Sequence, residues 1–365
     1  MSSANVVEAL NVAVEAGVPA IIWDKPGTGK TSFCYELGAG LDRHTEVVAP
    51  SLRDPTDFAG LPVVTDKGVV LEGPAWAKAL LAAPRGLLVI DEASTASPAV
   101  QAAFLRVVFE GRVGDLPSFF PKTSVIATAN PPGEAAGGWD LAPPLANRFF
   151  HIQWSSDHET WIEGMLNGWP VRKFKRLGEG DLEGHLPEMT MLVTSFIKIK
   201  PHMLHQMPKD DANRGGSWPS HRTWSMAARL LAGAKAMNAS QDTRVLLLAG
   251  CVGEGIAMDF LAWENALDLP DPEELLKAPE KYKVPERGDQ IFSVATSVVQ
   301  AIKHKNNKER WLNAWKIIGA TAKAGHADIV ALPGKMLLSV KKTDYPLPQS
   351  DLKAFEAMFR AMRVL

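Results

Sequence analysis

Trp23-Asp24-Lys25-Pro26-Gly27-Thr28-Gly29-Lys30-Thr31 decides how this chain is read. The apolar run Ala20-Ile21-Ile22-Trp23 leading into it has the character of a buried strand. Ser32-Phe33-Cys34-Tyr35-Glu36-Leu37, just after it, has that of the first turns of a helix. Strand, glycine-bearing loop, Lys-Thr and helix in that order make a phosphate-binding loop, the signature of a bound nucleoside triphosphate. Gly27 and Gly29 let backbone N–H groups turn inward around phosphates, and the helix N-terminus adds the positive end of its dipole. Pro26, Gly27, Thr28, Gly29, Lys30, Thr31 and Ser32 are the expected cradle. Lys30 reaches the outer phosphates, and the Thr31 hydroxyl is placed to ligate magnesium. One position departs from G-x-x-x-x-G-K-[ST], because Asp24 stands where the first glycine belongs. Aspartate tolerates left-handed backbone angles better than most residues, so the turn is expected to survive.

Two more apolar runs end in polar residues. Leu87-Leu88-Val89-Ile90 runs straight into Asp91-Glu92, as a strand buried on both faces of a parallel sheet would. Ligands of such sheets bind beyond the carboxyl ends of the strands. Asp91 is there to hold magnesium, commonly through water, and Glu92 to orient or deprotonate an attacking water. Ser124-Val125-Ile126-Ala127-Thr128-Ala129 ends in Asn130, whose amide can orient that water or touch the terminal phosphate, and Pro131-Pro132 stop the strand. Alone, either pattern is weak: strand ends are often acidic, and Asn-Pro turns are common. Following a phosphate loop in this order, they are specific.

With these residues the sequence resembles the AAA+ ATPases, and within them the MoxR-like branch. The resemblance rests on Pro26–Thr31, Val89–Ser94, Ala127–Pro131, Leu145-Ala146-Asn147-Arg148-Phe149 and Trp218-Pro219-Ser220-His221-Arg222. Asp54–Gly60, Glu72–Pro74, Val100–Arg106 and Glu110–Val113 add to it, and it covers roughly residues 5–235. It implies a P-loop AAA+ core, a five-stranded parallel sheet between helices, followed by an all-helical lid and a helical C-terminal extension. The expected boundaries are 1–154, 155–270 and 271–365. It implies ATP and Mg2+ as ligands and hydrolysis of ATP. It also implies assembly into a homo-oligomeric ring of six, with ATP between adjacent subunits and remodelling of a protein client. The family commonly works beside proteins carrying a von Willebrand factor A domain, which suggests such a partner.

Two arginines gain roles from the resemblance. Arg148 matches the arginine finger, which reaches a neighbouring subunit's site and stabilises charge on the transferred phosphoryl group. Arg222 matches the second sensor, expected at the nucleotide of its own subunit, with Arg229 two helical turns on as an alternative. Asn147 departs from the carboxylate that commonly precedes the finger.

The 365 residues, 46% hydrophobic and 22% charged, suit a globular chain of two or three domains. Cys34 and Cys251, the two cysteines, are widely separated and indicate neither a disulfide framework nor a zinc site. A net charge of −2 supplies no overall pull toward nucleic acid or an anionic membrane. The first residues lack the basic leader of a signal peptide, and no uncharged apolar stretch approaches the ~20 residues of a spanning helix. The expected compartment is the cytoplasm.

Helical spacing of Val6, Val7, Leu10 and Val14 predicts a helix before the first strand. Strands are predicted at Ala20–Trp23, Val47–Ala49, Leu87–Ile90, Ser124–Thr128 and Phe149–Gln153, in a doubly wound parallel sheet. Val63–Leu71, two β-rich runs around Asp66-Lys67-Gly68, predicts a hairpin resembling the insert that faces the ring pore in the MoxR-like branch. Gly114–Lys122 reads as a loop whose Phe119 and Phe120 either grip a substrate or anchor the loop in the core. Further on, helices are predicted at 221–236, 245–263, 288–320 and 350–363, with a loop at 208–219 and a Pro-rich linker or irregular excursion at 269–285.

His202 and His205, near Asp210 and Asp211, have metal-ligand spacing but no third ligand. Lys303–Lys308 is a short basic cluster without aromatics, read as a solvated turn between helices. Two rival readings remain: a nucleic-acid motor, against which the charge argues, and a nucleotide switch or scaffold with little turnover. The full set Lys30, Asp91, Glu92, Asn130 and Arg148 argues against the second.

Overall fold

The computed structural model describes residues 3–66, 68–131, 134, 138–154, 158–169 and 171–348, together with Leu352 and Phe355. Lys67, Pro132 and most of the expected helix 350–363 lie outside them. The chain divides into two compact units, Met1–Leu186 with His202–Asp259, and Pro187–Pro201 with Phe260–Leu365. The expected boundary at 154 falls inside the first unit and that at 270 inside the second.

The first unit opens with α1 (Ser3–Ala16), β1 (Ala20–Trp23), α2 (Lys30–Gly40) and β2 (His44–Val48). After α3 (Thr56–Ala59) come the hairpin strands β3 (Leu61–Thr65) and β4 (Gly68–Glu72), then α4 (Ala75–Ala82) and β5 (Gly86–Ile90). The helix α5 (Pro98–Glu110), β6 (Thr123–Ala129), α6 (Pro143–Ala146) and β7 (Phe150–Gln153) complete the sheet region. Five strands form one parallel sheet, as the sequence predicts, and their order is β2-β5-β6-β1-β7. β5 and β6 are buried along their whole length, which is why they read as unbroken apolar runs and not as alternating ones. β2 starts earlier than Val47 because its His44 and Thr45, which pair with Gly86 and Leu87, lie at the sheet's edge and carry no apolar signal. β3 and β4 pair antiparallel and stand outside the sheet, with Val64 and Val69 exposed.

On one face of the sheet, Ile21, Leu88, Ile90, Val125 and Ala127 pack against Phe58, Trp76, Phe104 and Val107. Phe119 is buried and Phe120 half-buried in this core, so the loop aromatics are anchors. Then follow α7 (His158–Asn167), α8 (Asp181–Ile199), α9 (Asp211–Arg214), α10 (His221–Ala236), α11 (Gln241–Val252) and α12 (Glu254–Asn265). Expected helix 245–263 is broken at Gly253, whose φ is +87°. The helices that follow form the expected helical lid, and its α11 packs on β7: at Gly250 a Cβ would lie 2.1 Å from His151 O, so only glycine lets the two come this near.

The second unit holds α13 (Pro272–Lys277), α14 (Gly288–His304), α15 (Lys308–Thr321) and α16 (Ala327–Ser339). Its core gathers Leu276, Val298, Ile302, Trp311, Trp315, Val330 and Leu337. The Pro-rich span 269–285 is therefore part of a folded core, since Asp271 caps α13 and Leu276 is buried. The expected helix 288–320 is interrupted at residues 305–307, where Asn307 accepts from Arg310 N and starts a new helix. The basic cluster 303–308 spans that turn.

Candidate active site

The register carries three loops off one edge of the sheet. Trp23 pairs with Ala129 and Ile90 with Ala127, so the loop after β1, Asp91 after β5 and Asn130 after β6 emerge side by side. Asp24 N donates to Ala129 O at 3.2 Å and Asp91 N to Val48 O at 2.9 Å, extending the pairing by one residue each.

Gly27 and Gly29 adopt φ of +81° and +87°. No atom lies within 4 Å of the place a Cβ would take at either, so the backbone angle and not crowding calls for glycine. Asp24 is not in the left-handed region, whose non-glycine members among the described residues are Asp42, Glu92 and Asn238. The first position of the loop needs no left-handed turn here, so tolerance of one is not what admits aspartate.

Lys30 opens α2 and is only 7% exposed. Its Nζ donates to Asp24 O and Lys25 O, both at 2.7 Å, and to Asn130 Oδ1 at 3.0 Å. Burial pulls its pKa below the usual lysine value, while Asp24, Asp91 and Glu92 oppose the shift. Asn130, 6% exposed, is fixed from behind by its own N–H, which donates to Ser94 Oγ at 3.1 Å. With Oδ1 occupied by Lys30, the Nδ2 hydrogens are the part of Asn130 left for a ligand.

Thr31 Oγ1 donates to Asp91 Oδ1 at 2.8 Å, bringing the two expected metal ligands together. A hydroxyl and a carboxylate are oxygen donors suited to Mg2+, which takes one or two protein ligands and completes its shell with phosphate and water. The described residues contain no cluster of three His, Cys, Asp or Glu that could hold a metal. The His205 ring lies 5.7 Å from that of Trp218.

Glu92 has φ +55°, an unfavourable region for glutamate, and its backbone N–H donates to Thr128 Oγ1 at 2.9 Å. Thr128 Oγ1 in turn donates to Asp91 Oδ1 at 2.6 Å. One buried hydroxyl thus sets both the Asp91 carboxylate and the Glu92 backbone, a role the sequence reading missed. The available signal was a polar residue inside an apolar strand, two positions before Asn130 and so on its face.

Arg148 and Arg222 lie elsewhere. β7 runs parallel to β1 with Phe150 opposite Ala20, so Arg148 precedes the strand at the edge opposite the phosphate loop. α5 leaves the carboxyl end of β5 and returns, which puts Phe109 at that opposite edge too. The Arg148 guanidinium sits 5.0 Å and that of Arg222 5.6 Å from the Phe109 ring centre. Burial, then Arg222, hold the Arg148 pKa below its ordinary value. Arg222 Nη1 also donates to Asn147 Oδ1 at 3.5 Å, which accepts from Ser220 Oγ at 2.8 Å. Asn147, in place of a carboxylate, is the buried hub that docks the start of α10 beside Arg148. Arg222, the expected second sensor, thus stands beside Arg148 and away from the phosphate loop of its own chain. Arg229 does not replace it, because its Nε donates to Ala16 O at the end of α1.

A cavity of about 730 Å³ borders Asn130 and is lined also by Trp23, Trp139, His151, Val245 and Ala249. His151 is neutral in its wall: burial lowers its pKa to about 4, Nδ1 accepts from Trp23 Nε1 at 3.0 Å, and Nε2 donates to Ala146 O at 2.9 Å.

No protein-family model and no curated protein sequence matches the chain. Among solved structures it is similar to a proposed ATPase from Cytophaga hutchinsonii, at 16% identity and a TM-score of 0.44, over 71% of this chain and 89% of that one. The site is accordingly read from its own residues.

Proposed function

We propose that this chain is a magnesium-dependent ATPase of the MoxR-like AAA+ type that works as a ring and uses hydrolysis to remodel or mature a protein client. The observation that carries the reading is the meeting of Lys30, Thr31, Asp91 and Asn130 at one sheet edge, within 2.7–3.0 Å hydrogen bonds of each other or of the phosphate loop. In this reading the loop from Pro26 to Ser32 offers N–H donors to the phosphates, and the Lys30 charge neutralises the outer ones. Thr31 and Asp91 would hold Mg2+, which would supply positive charge beside the phosphates. Glu92 takes the proton of the attacking water, and the Asn130 amide orients that water or the terminal phosphate.

Lys30 is the cation of this half of the site, while Arg148 and Arg222 stand at the other edge. A neighbour arranged head to tail would bring that edge to the phosphate loop, and such heterologous contacts close into rings. α7 supports association: Trp161 is 55% and Leu166 77% exposed, with Ile162, Met165 and Trp169 exposed beside them. Contiguous apolar surface of several hundred Å2, the order these side chains provide, marks an interaction site. The ring of six, the client and a partner with a von Willebrand factor A domain belong to the resemblance and extend this reading. Compartment enters only as far as no described helix being long and apolar enough to cross a membrane.

Single-turnover hydrolysis, measured on the dilute chain and on the assembled form, tests the reading. Hydrolysis that rises with assembly supports it; hydrolysis equally fast in a dilute monomer removes the shared site, and no hydrolysis in either form removes the ATPase.

A further inference from the structure

Trp154, directly after β7, makes three contacts with the strand, loop and helix of the phosphate site. Its backbone N–H donates to Trp23 O at 2.8 Å, its indole Nε1–H donates to Thr28 O at 3.0 Å, and its ring centre lies 4.7 Å from that of Phe33 on α2. Thr28 lies between the two glycines of positive φ, where no side chain stiffens the backbone. Loop orientation there depends on what holds its carbonyls. Lys25 O is held by Thr28 Oγ1 at 3.0 Å and by Lys30 Nζ. Thr28 O is held by Trp154.

That carbonyl belongs to the peptide unit that carries the Gly29 N–H. In a planar trans peptide, C=O and N–H point in opposite directions. A carbonyl tied outward to Trp154 therefore aims the Gly29 N–H inward, among the donors that would line an anion nest. We propose that Trp154 is a positioning residue for phosphate binding, acting through the Thr28–Gly29 peptide. The proposal rests on the nucleotide reading above and adds to it a residue outside the loop. An indole suits the task because Nε1–H donates without accepting, so it cannot take the loop's N–H groups away from a phosphate. The Phe33 contact keeps the ring in place, and Phe33 is itself buried in the helix that the loop begins.

The test compares Trp154→Phe, which keeps a ring near Phe33 and removes the donor, with Phe33→Leu, which removes the ring pair and keeps the donor. Affinity for ATP and for inorganic tripolyphosphate, which has no base, is titrated for both variants and the unaltered protein. Trp154→Phe is expected to weaken both ligands about three- to tenfold, the worth of one hydrogen bond, and Phe33→Leu to weaken them much less. Equal weakening by the two variants would show packing alone and overturn the positioning role. A Trp154→Phe loss confined to ATP would make Trp154 a base contact and also overturn it. If Trp154→Phe does not fold, hydrogen exchange of the Trp154 indole in the unaltered protein decides: slow exchange supports the bond, and exchange at the rate of a free indole overturns it. An unaltered protein that binds neither ligand removes the nucleotide reading itself; normal binding by both the unaltered protein and Trp154→Phe removes only this proposal.

Discussion

Arg148 and Arg222 stand over the same ring, Phe109, at 5.0 and 5.6 Å, and neither has a carboxylate partner among the described residues. Two guanidiniums held together without a counter-charge are complementary to an anion, and the ring accepts both through its electron-rich face. Phe109 itself is 56% exposed, so this cationic surface is open to another molecule. The phosphate loop is at the opposite edge of the same sheet, and no single copy brings the two together.

That separation makes a complementation prediction. Lys30→Ala and Arg148→Ala should each be nearly inactive alone, since a missing finger costs about 10³–10⁵ in rate. Mixed, they should partly recover hydrolysis, because some interfaces pair an intact phosphate loop with an intact arginine. Arg222→Ala should complement Lys30→Ala in the same way, as its place beside Arg148 requires. Tagged pull-down confirms that mixed oligomers form; mixed oligomers without recovery at any ratio would remove the shared site.

Lys30→Ala should abolish ATP binding. Its ammonium is bonded to two loop carbonyls and Asn130, so removal takes away both the charge proposed to face the phosphates and a cross-link of the loop. Unchanged affinity in a direct titration would contradict the phosphate assignment.

Glu92→Gln should retain ATP affinity and reduce turnover by roughly 10²-fold or more, the contribution of a general base. The Glu92 backbone, held by Thr128, makes no use of the carboxylate in its hydrogen bond, so the loop geometry should persist. A variant that no longer binds ATP would give Glu92 a structural role instead.

His151 predicts a loss of stability in acid. Its folded pKa of about 4 lies below the ordinary histidine value of 6.5, so between these the unfolded chain binds the extra proton. The stabilisation is fully present above pH 6.5 and declines as the pH falls toward 4, by about 3 kcal/mol in all. His151→Asn, which can accept from Trp23 and donate to Ala146 O, should flatten the fall in Tm between pH 7 and pH 4.5. Parallel Tm profiles for the two proteins would show that His151 titrates normally.

Charges placed on α7 should weaken assembly. Trp161→Glu with Leu166→Glu changes two exposed side chains and leaves the core intact, so Tm should move little while sedimentation shifts toward smaller species. Oligomers unaffected by this pair would place the subunit contact elsewhere.

Much of the site was legible before any coordinates. Short-range chemistry dictates it: apolar runs that can only be buried strands, and glycines whose positive φ a loop around an anion demands. The motifs sit at the carboxyl ends of neighbouring parallel strands, so their meeting follows from the topology. Thr128 escaped because a single hydroxyl in a strand looks like an ordinary β-former until its partners are known. The span 269–285 was misread for a related reason: prolines signal irregular backbone, yet Pro272 starts a helix whose Leu276 completes a core built from segments far along the chain.

By itself, the amino-acid sequence determined the strand-loop-helix around Lys30, the parallel sheet of five strands, and that Lys30, Thr31, Asp91 and Asn130 come from the loops beyond its strands. Those features depend on residues close in sequence and on the two periodicities of buried strands and helices. Only the tertiary structure decided that Arg222 stands beside Arg148 and away from its own phosphate loop, that α11 closes on the sheet, and that Trp154 reaches Thr28. Each of these is a meeting of segments 70 or more residues apart, as with Asn147 and Arg222, or of a strand end with a loop, as with Trp154 and Thr28. No local pattern encodes such a meeting, because it is set by how closely whole elements pack, as Gly250 against His151 shows.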